Sequence, residues 1–237
     1  MSTFNMSKLA RNAAMAAVAI GIVCTVARAA EKPVLSPAAL NKPLTTDWVS
    51  YSGDYTGQRF SRLTQVDRNT VKHLSLAWVG HPGASTNGAT VGGEGKGDFP
   101  VAPAQFKGSI LEVDGILYAT SPDHAWAIDG RDGRELWHYY WKTRGSLHIA
   151  SRGAAIWNNS LLFETPDNYL VSLDVRTGKE NWHVEIADFE QQYFSTMAPI
   201  VIGDQVLVGT GNDLDAPGFL QSYDPRTGKR NWIHYTV

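Results

Sequence analysis

The chain is poor in cysteine, in excess charge of either sign and in long apolar runs, and each shortage removes a class of protein. Of its 237 residues only Cys24 is a cysteine, and it lies in a segment read below as a removable leader. The mature chain therefore has no disulfide to staple it, although it is expected to be exported. Lysine and arginine number 21 against 23 aspartates and glutamates. No basic block stands out, which argues against nucleic acid as a partner. The longest apolar run, Ala13 to Ala27, is too short and too alanine-rich for a membrane-spanning helix.

That run follows Lys8 and Arg11 and ends at Ala27-Arg28-Ala29, a small-x-small cleavage pattern. Residues 1–29 read as a secretory signal peptide, and Gly21-Ile22-Val23 ahead of Cys24 make a poor lipoprotein signal. Removing the leader takes away Lys8, Arg11 and Arg28. It leaves 18 basic residues against 23 acidic ones, a net charge of −5 on 208 residues. Export and no transmembrane anchor in the mature chain are the expectations. The length suits one all-β domain.

What the chain does have is a repeat. Ala127-Ile-Asp-Gly-Arg-Asp-Gly-Arg-Glu-Leu-Trp137 returns as Ser172-Leu-Asp-Val-Arg-Thr-Gly-Lys-Glu-Asn-Trp182 and again as Ser222-Tyr-Asp-Pro-Arg-Thr-Gly-Lys-Arg-Asn-Trp232, 45 and 50 residues apart. A fixed period of this size marks stacked structural units. Asp129, Asp174 and Asp224 end short apolar strands, where a carboxylate can accept backbone N–H groups in an Asx turn. Gly133, Gly178 and Gly228 supply the positive φ of a tight hairpin. Trp137, Trp182 and Trp232 sit on the returning strands as apolar plates for packing one unit on the next.

Residues 30–47 are proline-rich and read as an extended lead-in. Leu63 to Leu76 has weakly helical spacing, and Leu76-Ala-Trp78 starts a strand. Gly80 to Gly97 holds seven glycines and reads as a long surface loop. From Ser109 onward the rhythm is regular. Four strands are expected at Ile110–Val113, Ile116–Thr120, Ala125–Asp129 and Glu135–Tyr140. Four follow at Ala154–Trp157, Ser160–Phe163, Tyr169–Asp174 and Asn181–Ile186. A third set lies at Ile200–Ile202, Gln205–Val208, Phe219–Asp224 and Asn231–Tyr235. Four antiparallel strands in about 45 residues, repeated, predict an all-β fold of β-propeller blades.

Asp114-Gly-Ile-Leu-Tyr118, the three tryptophan-docking phrases, and Tyr51-Ser-Gly-Asp-Tyr55 with Arg59-Phe-Ser61 together resemble the pyrroloquinoline-quinone (PQQ) alcohol and methanol dehydrogenases, over about 48–237. The resemblance implies a periplasmic eight-bladed propeller, of which about three blades are present. It implies PQQ near the axis over a bound calcium or lanthanide ion. The chain is accordingly expected to be an N-terminal part of a longer enzyme, inactive alone. The alternative is a complete small protein that closes by oligomerising.

Site residues carry over one at a time. Arg152, in Ser151-Arg-Gly-Ala-Ala155, matches the family's quinone-binding arginine. A guanidinium fits a tricarboxylate, although an arginine at a turn is also an ordinary surface residue. Thr196 matches a threonine that touches a PQQ carboxylate. Thr210, Gly211 and Asn212 match a loop of backbone contacts. Asp213 stands where the family has a metal-binding glutamate, one methylene shorter and still a competent oxygen ligand, with Asp215 as a neighbouring substitute. Asn212, Asp213 and Asp215 also suit a plain polar turn. Lys107 replaces a glutamate or glutamine. Ser146 and Leu147 stand where many methanol dehydrogenases have a disulfide lid. No chemistry is assigned to His81, His124 or His148. The implied reaction is metal-assisted hydride transfer from an alcohol to PQQ, with electrons passing to cytochrome c or a quinone. The catalytic base, the further metal ligand and the stacking tryptophan are expected beyond Val237. The competing function is a non-catalytic propeller scaffold, as in outer-membrane assembly.

Overall fold

The computed structural model describes residues 34–80, 106–144, 150–211 and 216–236, together with the backbone of 90–91 and 99–100. The leader expected at 1–29 lies outside them. So do Ser146, Leu147, Asn212, Asp213, Asp215, His81 and His148.

Within the glycine-rich stretch, β1 (Thr90–Val91) pairs antiparallel with β2 (Phe99–Pro100). Twelve further strands form three four-stranded antiparallel sheets. The first is β3 (Leu111–Val113), β4 (Ile116–Ser121), β5 (His124–Asp129) and β6 (Glu135–Tyr140). The second is β7 (Ala154–Trp157), β8 (Ser160–Glu164), β9 (Tyr169–Asp174) and β10 (Glu180–Glu185). The third is β11 (Ile200–Ile202), β12 (Gln205–Thr210), β13 (Phe219–Tyr223) and β14 (Arg230–Tyr235). Each pairs in sequence order, as the repeat predicts, with strand ends shifted by one or two residues.

The turn phrase explains why the sheets stack. The backbone N–H groups of Gly133, Gly178 and Gly228 donate to the carbonyls of Asp129, Asp174 and Asp224 at 2.9, 2.8 and 2.9 Å. Each aspartate side chain accepts the N–H two residues on, at 3.0, 3.1 and 2.7 Å, the expected Asx turn. The glycines have φ of +75°, +70° and +70°. They are also places where a ring comes down on the backbone. A β-carbon at Gly178 would lie 2.6 Å from Trp137 Cε3, and one at Gly228 would lie 2.7 Å from Trp182 Cε3. The Trp137 indole N–H donates to Val175 O at 3.0 Å, and that of Trp182 to Pro225 O at 3.2 Å. Each tryptophan thus closes on the next sheet's turn. Where the second and third phrases open with serine, Ser172 and Ser222 accept from Asn181 and Asn231 just ahead of the tryptophan, at 3.3 and 3.2 Å.

The middle sheet is covered on both faces. Leu161, Leu162, Phe163, Leu170, Val171 and Leu173 are fully buried, so β8 and β9 are near-continuous apolar runs rather than alternating ones. The lead-in departs from the extended form. It contains one helical turn, α1 (Pro37–Leu40), with proline at the first helical position, where its missing N–H costs nothing. Leu35, Leu40 and Leu44 enter the core. Leu35 bridges Asn158, and Trp48, just after the lead-in, bridges Glu112, so the segment from Leu35 to Trp48 straps the first two sheets.

Two further expectations fail. Between Leu63 and Leu76 the only helical element is a 3-10 turn at Val71–His73. Asp67 Oδ1 takes the N–H groups of Asn69 and Thr70 at 2.7 and 2.8 Å, a local capture that competes with a helix. Leu63, Val66 and Leu74 have no core to face and are exposed. Leu76–Trp78 is likewise not a strand. Trp78 is instead a docking tryptophan, the third alongside Trp137 and Trp182. Its indole N–H donates to Gly130 O at 3.0 Å, and a β-carbon at Gly133 would lie 2.5 Å from its ring. Trp232 is 40% exposed and donates within its own sheet, to Gln205 Oε1 at 3.3 Å.

Candidate functional site

In a four-stranded antiparallel sheet the start of the first strand, the end of the second, the start of the third and the end of the fourth share one end. The docking turns lie at the other. The residues singled out at Lys107, Arg152, Thr196, Thr210 and Gly211 precede or begin first strands, or end second ones, so all belong to the end away from the docking turns.

The backbone ties three of these places together. Ser109 N donates to Arg152 O at 3.0 Å, and Arg152 N donates to Thr196 O at 3.1 Å. Ser109 and Gly153 form an isolated parallel bridge. Approach is close enough that a β-carbon at Gly108 would lie 2.6 Å from the Arg152 carbonyl carbon, so a glycine is required beside Lys107. Below this line, Thr120 Oγ1 and Ser151 Oγ share a hydrogen bond of 2.8 Å. Phe194 N donates to Gly211 O at 3.3 Å, and the Thr210 hydroxyl donates to Phe194 O at 2.9 Å. The Thr210 proton is therefore spent within the fold, leaving only its lone pairs and backbone for a ligand.

Lys107 and Arg152 are both exposed. Among the described residues neither side chain forms a hydrogen bond or ion pair, and the Thr196 hydroxyl is also unengaged. Two unpaired cations and a free hydroxyl at one strand end suit a compact polycarboxylate: a guanidinium binds carboxylate through paired donors and an ammonium as a point charge. A PQQ-like group therefore fits the residues present. No group of three or more His, Cys, Asp or Glu able to hold a metal occurs among the described residues. The metal ligand expected at Asp213 lies outside them.

Two polar clusters escaped the sequence reading. Glu164, the last residue of β8, is fully buried near Ser195. Burial pushes its carboxyl well above the ordinary range, and the nearby Ser195 hydroxyl, which could offset part of this, is turned to Asn168 instead. Ser195 Oγ donates to Asn168 Oδ1 at 3.1 Å, and Asn168 Nδ2 to Tyr193 O at 2.8 Å. The second cluster is in the first sheet. His124 Nδ1 and His138 Nε2 are 2.8 Å apart, and Trp126 stacks on both imidazoles. Burial, and then the neighbouring His138, lower His124 to about 4. The pair is neutral at pH 7, one ring donating and the other accepting. Only its two-residue period across paired strands could have signalled it, since Trp126 faces His138 in register.

The sequence matches the family described as PQQ: glucose/ethanol/alcohol dehydrogenase, beta-propeller domain, over residues 48–237. The chain belongs to the PQQ-dependent, or quinoprotein, alcohol dehydrogenase family. The three sheets are accordingly blades of its β-propeller. Among curated relatives, the dehydrogenase subunit of a quinone alcohol dehydrogenase from Gluconobacter oxydans is 35% identical over 205 residues, 81% of this chain and 25% of that protein. The quinohemoprotein alcohol dehydrogenase of Comamonas testosteroni superposes with a TM-score of 0.68 at 28% identity, covering 86% of this chain and 29% of that one. A europium-containing methanol dehydrogenase superposes at 0.64 with 28% identity, covering 80% and 32%. The chain spans about a quarter to a third of the length of the curated relatives it matches.

Proposed function

We propose that this chain supplies part of the cofactor site of a periplasmic PQQ- and metal-dependent dehydrogenase that oxidises an alcohol. The observation that carries the reading is the backbone link from Ser109 through Arg152 to Thr196. It sets two unpaired cations and a free hydroxyl at one end of three neighbouring blades.

Lys107 and Arg152 would hold carboxylates of PQQ, Thr196 would donate a hydrogen bond, and the backbone at Thr210, Gly211 and Asn212 would line its edge. Asp213 would offer an oxygen to calcium or a lanthanide. Bound PQQ, polarised by the cation, supplies the hydride acceptor. The protein's part here is to bring these donors to one strand end through the backbone link, while the exposed Lys107 and Arg152 side chains are still to be ordered on binding, a cost that keeps affinity low. Cytochrome c or a quinone is the proposed electron acceptor. No residue of this chain is assigned as the base, and with about a quarter to a third of the relatives' length the chain alone should bind PQQ weakly and not turn over alcohol.

The test is a PQQ titration of the chain, with calcium or a lanthanide, followed by tryptophan fluorescence. Arg152→Ala removes a charge-assisted pair and should weaken binding by about ten- to a hundredfold, equivalent to about 1.5–3 kcal/mol. Unchanged affinity in both Arg152→Ala and Lys107→Ala would overturn the assignment and favour a scaffold.

A further inference from the structure

Glu164 is 2% exposed. Ala154 faces Phe163 across β7 and β8, so Glu164 continues that ladder at the level of Gly153, beside Arg152. On β9 its register partner is Leu170. Neither carboxyl oxygen has a hydrogen-bond partner, because the nearby Ser195 hydroxyl donates to Asn168.

Among the described residues no cation pairs with it. On β13 and β14, the Tyr223 hydroxyl and Arg230 Nη1 both donate to Gln221 Oε1, at 2.7 and 3.3 Å. On β9, Tyr169 sits with Arg144, Asp167 and Glu185. On the segment before Ser195, the Tyr193 hydroxyl donates to Pro217 O at 2.9 Å. Arg152, ahead of β7, is exposed. A carboxylate sealed among such partners would be an uncompensated buried charge, which proteins avoid by keeping the group neutral.

We propose that Glu164 is a neutral acid in the folded chain and a positioning residue for Ser195–Thr196, so that ionising it loosens the segment that holds Arg152. An ionised Glu164 must be hydrated, and the weakest cover yields first. The neighbouring strand residues Leu162, Phe163, Leu170 and Val171 are fully buried. Ser195–Ala198 forms no strand and is held by single contacts: Ser195 to Asn168, and Arg152 N to Thr196 O. When that segment moves, the Arg152 amide loses its acceptor. The consequence for binding rests on the PQQ reading: a new negative charge and a displaced Thr196 both disfavour a polycarboxylate at this end.

Two measurements on the chain test the acid without any cofactor. Infrared spectra at neutral pH should show the carbonyl band of a protonated carboxylic acid, absent from Glu164→Gln. Amide exchange at Arg152, measured from about pH 6 to about pH 9, should match the variant at the acid end and lose at least about tenfold in protection relative to it at the alkaline end. A missing band at neutral pH, or Arg152 protection that tracks the variant throughout, overturns the proposal. PQQ titrations at both ends of that range form a separate arm. Weaker alkaline binding in the native chain than in Glu164→Gln supports the link to the cofactor. No PQQ binding at either pH, with the band and the Arg152 result intact, refutes the cofactor reading and leaves the positioning role standing.

Discussion

Replacing Gly178 with alanine isolates the contact that joins one blade to the next. Three effects add. A left-handed backbone at φ +70° costs a non-glycine residue about 1–2 kcal/mol. The new methyl would start 2.6, 2.7 and 3.0 Å from three atoms of the Trp137 ring, and such overpacking against a rigid plate costs about 1–3 kcal/mol. Moving the ring also weakens its hydrogen bond to Val175 O, worth about 1 kcal/mol. The sum is about 3–6 kcal/mol. Gly115→Ala is the control. Gly115 has φ +78° in the β3–β4 turn and nothing within 4 Å of a β-carbon, so it should lose only the backbone cost of about 1–2 kcal/mol. Urea unfolding followed by circular dichroism gives both free energies. A difference between the two variants below about 0.5 kcal/mol, the scatter expected of independent sites, would refute the claim that Trp137 presses on Gly178.

Two further outcomes are expected. Because His124 is held at about 4 in the fold and near 6.5 in an unfolded chain, the unfolded state binds more protons between those values and stability should fall as pH drops through that window; His124→Phe should flatten this acid slope in urea midpoints, and an unchanged slope would rule out the imidazole as its source. The proposed export predicts cleavage near Ala29, so amino-terminal sequencing of the secreted product should begin close to Ala30, and a mature chain that still starts at Met1 would exclude it.

The blade rhythm was legible because its causes are local. An aspartate that caps its own turn and a glycine four residues before a tryptophan (Gly178 and the Lys179-Glu-Asn run before Trp182, for example) need no knowledge of the rest of the chain. Trp78 escaped for the converse reason. No Asp–Gly turn precedes it, and its role appears only when its ring meets Gly133, 55 residues later in the sequence. The weak helical spacing from Leu63 misled because periodicity needs a core to bury its stripe, and those leucines face none. At the site, Arg152 and Thr196 could be named by resemblance, but the hydrogen bond between them joins residues on neighbouring blades. Glu164 was hidden inside an apolar strand, where only the packing of both faces shows that a carboxyl has been sealed in. The His124–His138 pair needed the β5–β6 register.

The division of each blade into two ends has a consequence for how this protein can vary. Docking turns occupy one end: the Asp129, Asp174 and Asp224 loops with their glycines, and the tryptophans that press on them. Arg152, Thr196 and Glu164 stand at the other, separated from those turns by the length of a strand. Strands of five or six residues span about 16–20 Å at about 3.3 Å per residue, beyond the range at which substitutions couple strongly. A change at Gly178 should therefore lower stability while leaving cofactor affinity of the folded chain unaltered. A change at Arg152, exposed and unpaired, should do the reverse. Glu164 is where this separation breaks down: it is at once part of the buried blade interface and a neighbour of the segment carrying Thr196. A buried acid there makes the fold's stability and the site's geometry respond to the same proton, which an apolar residue at that position would not do.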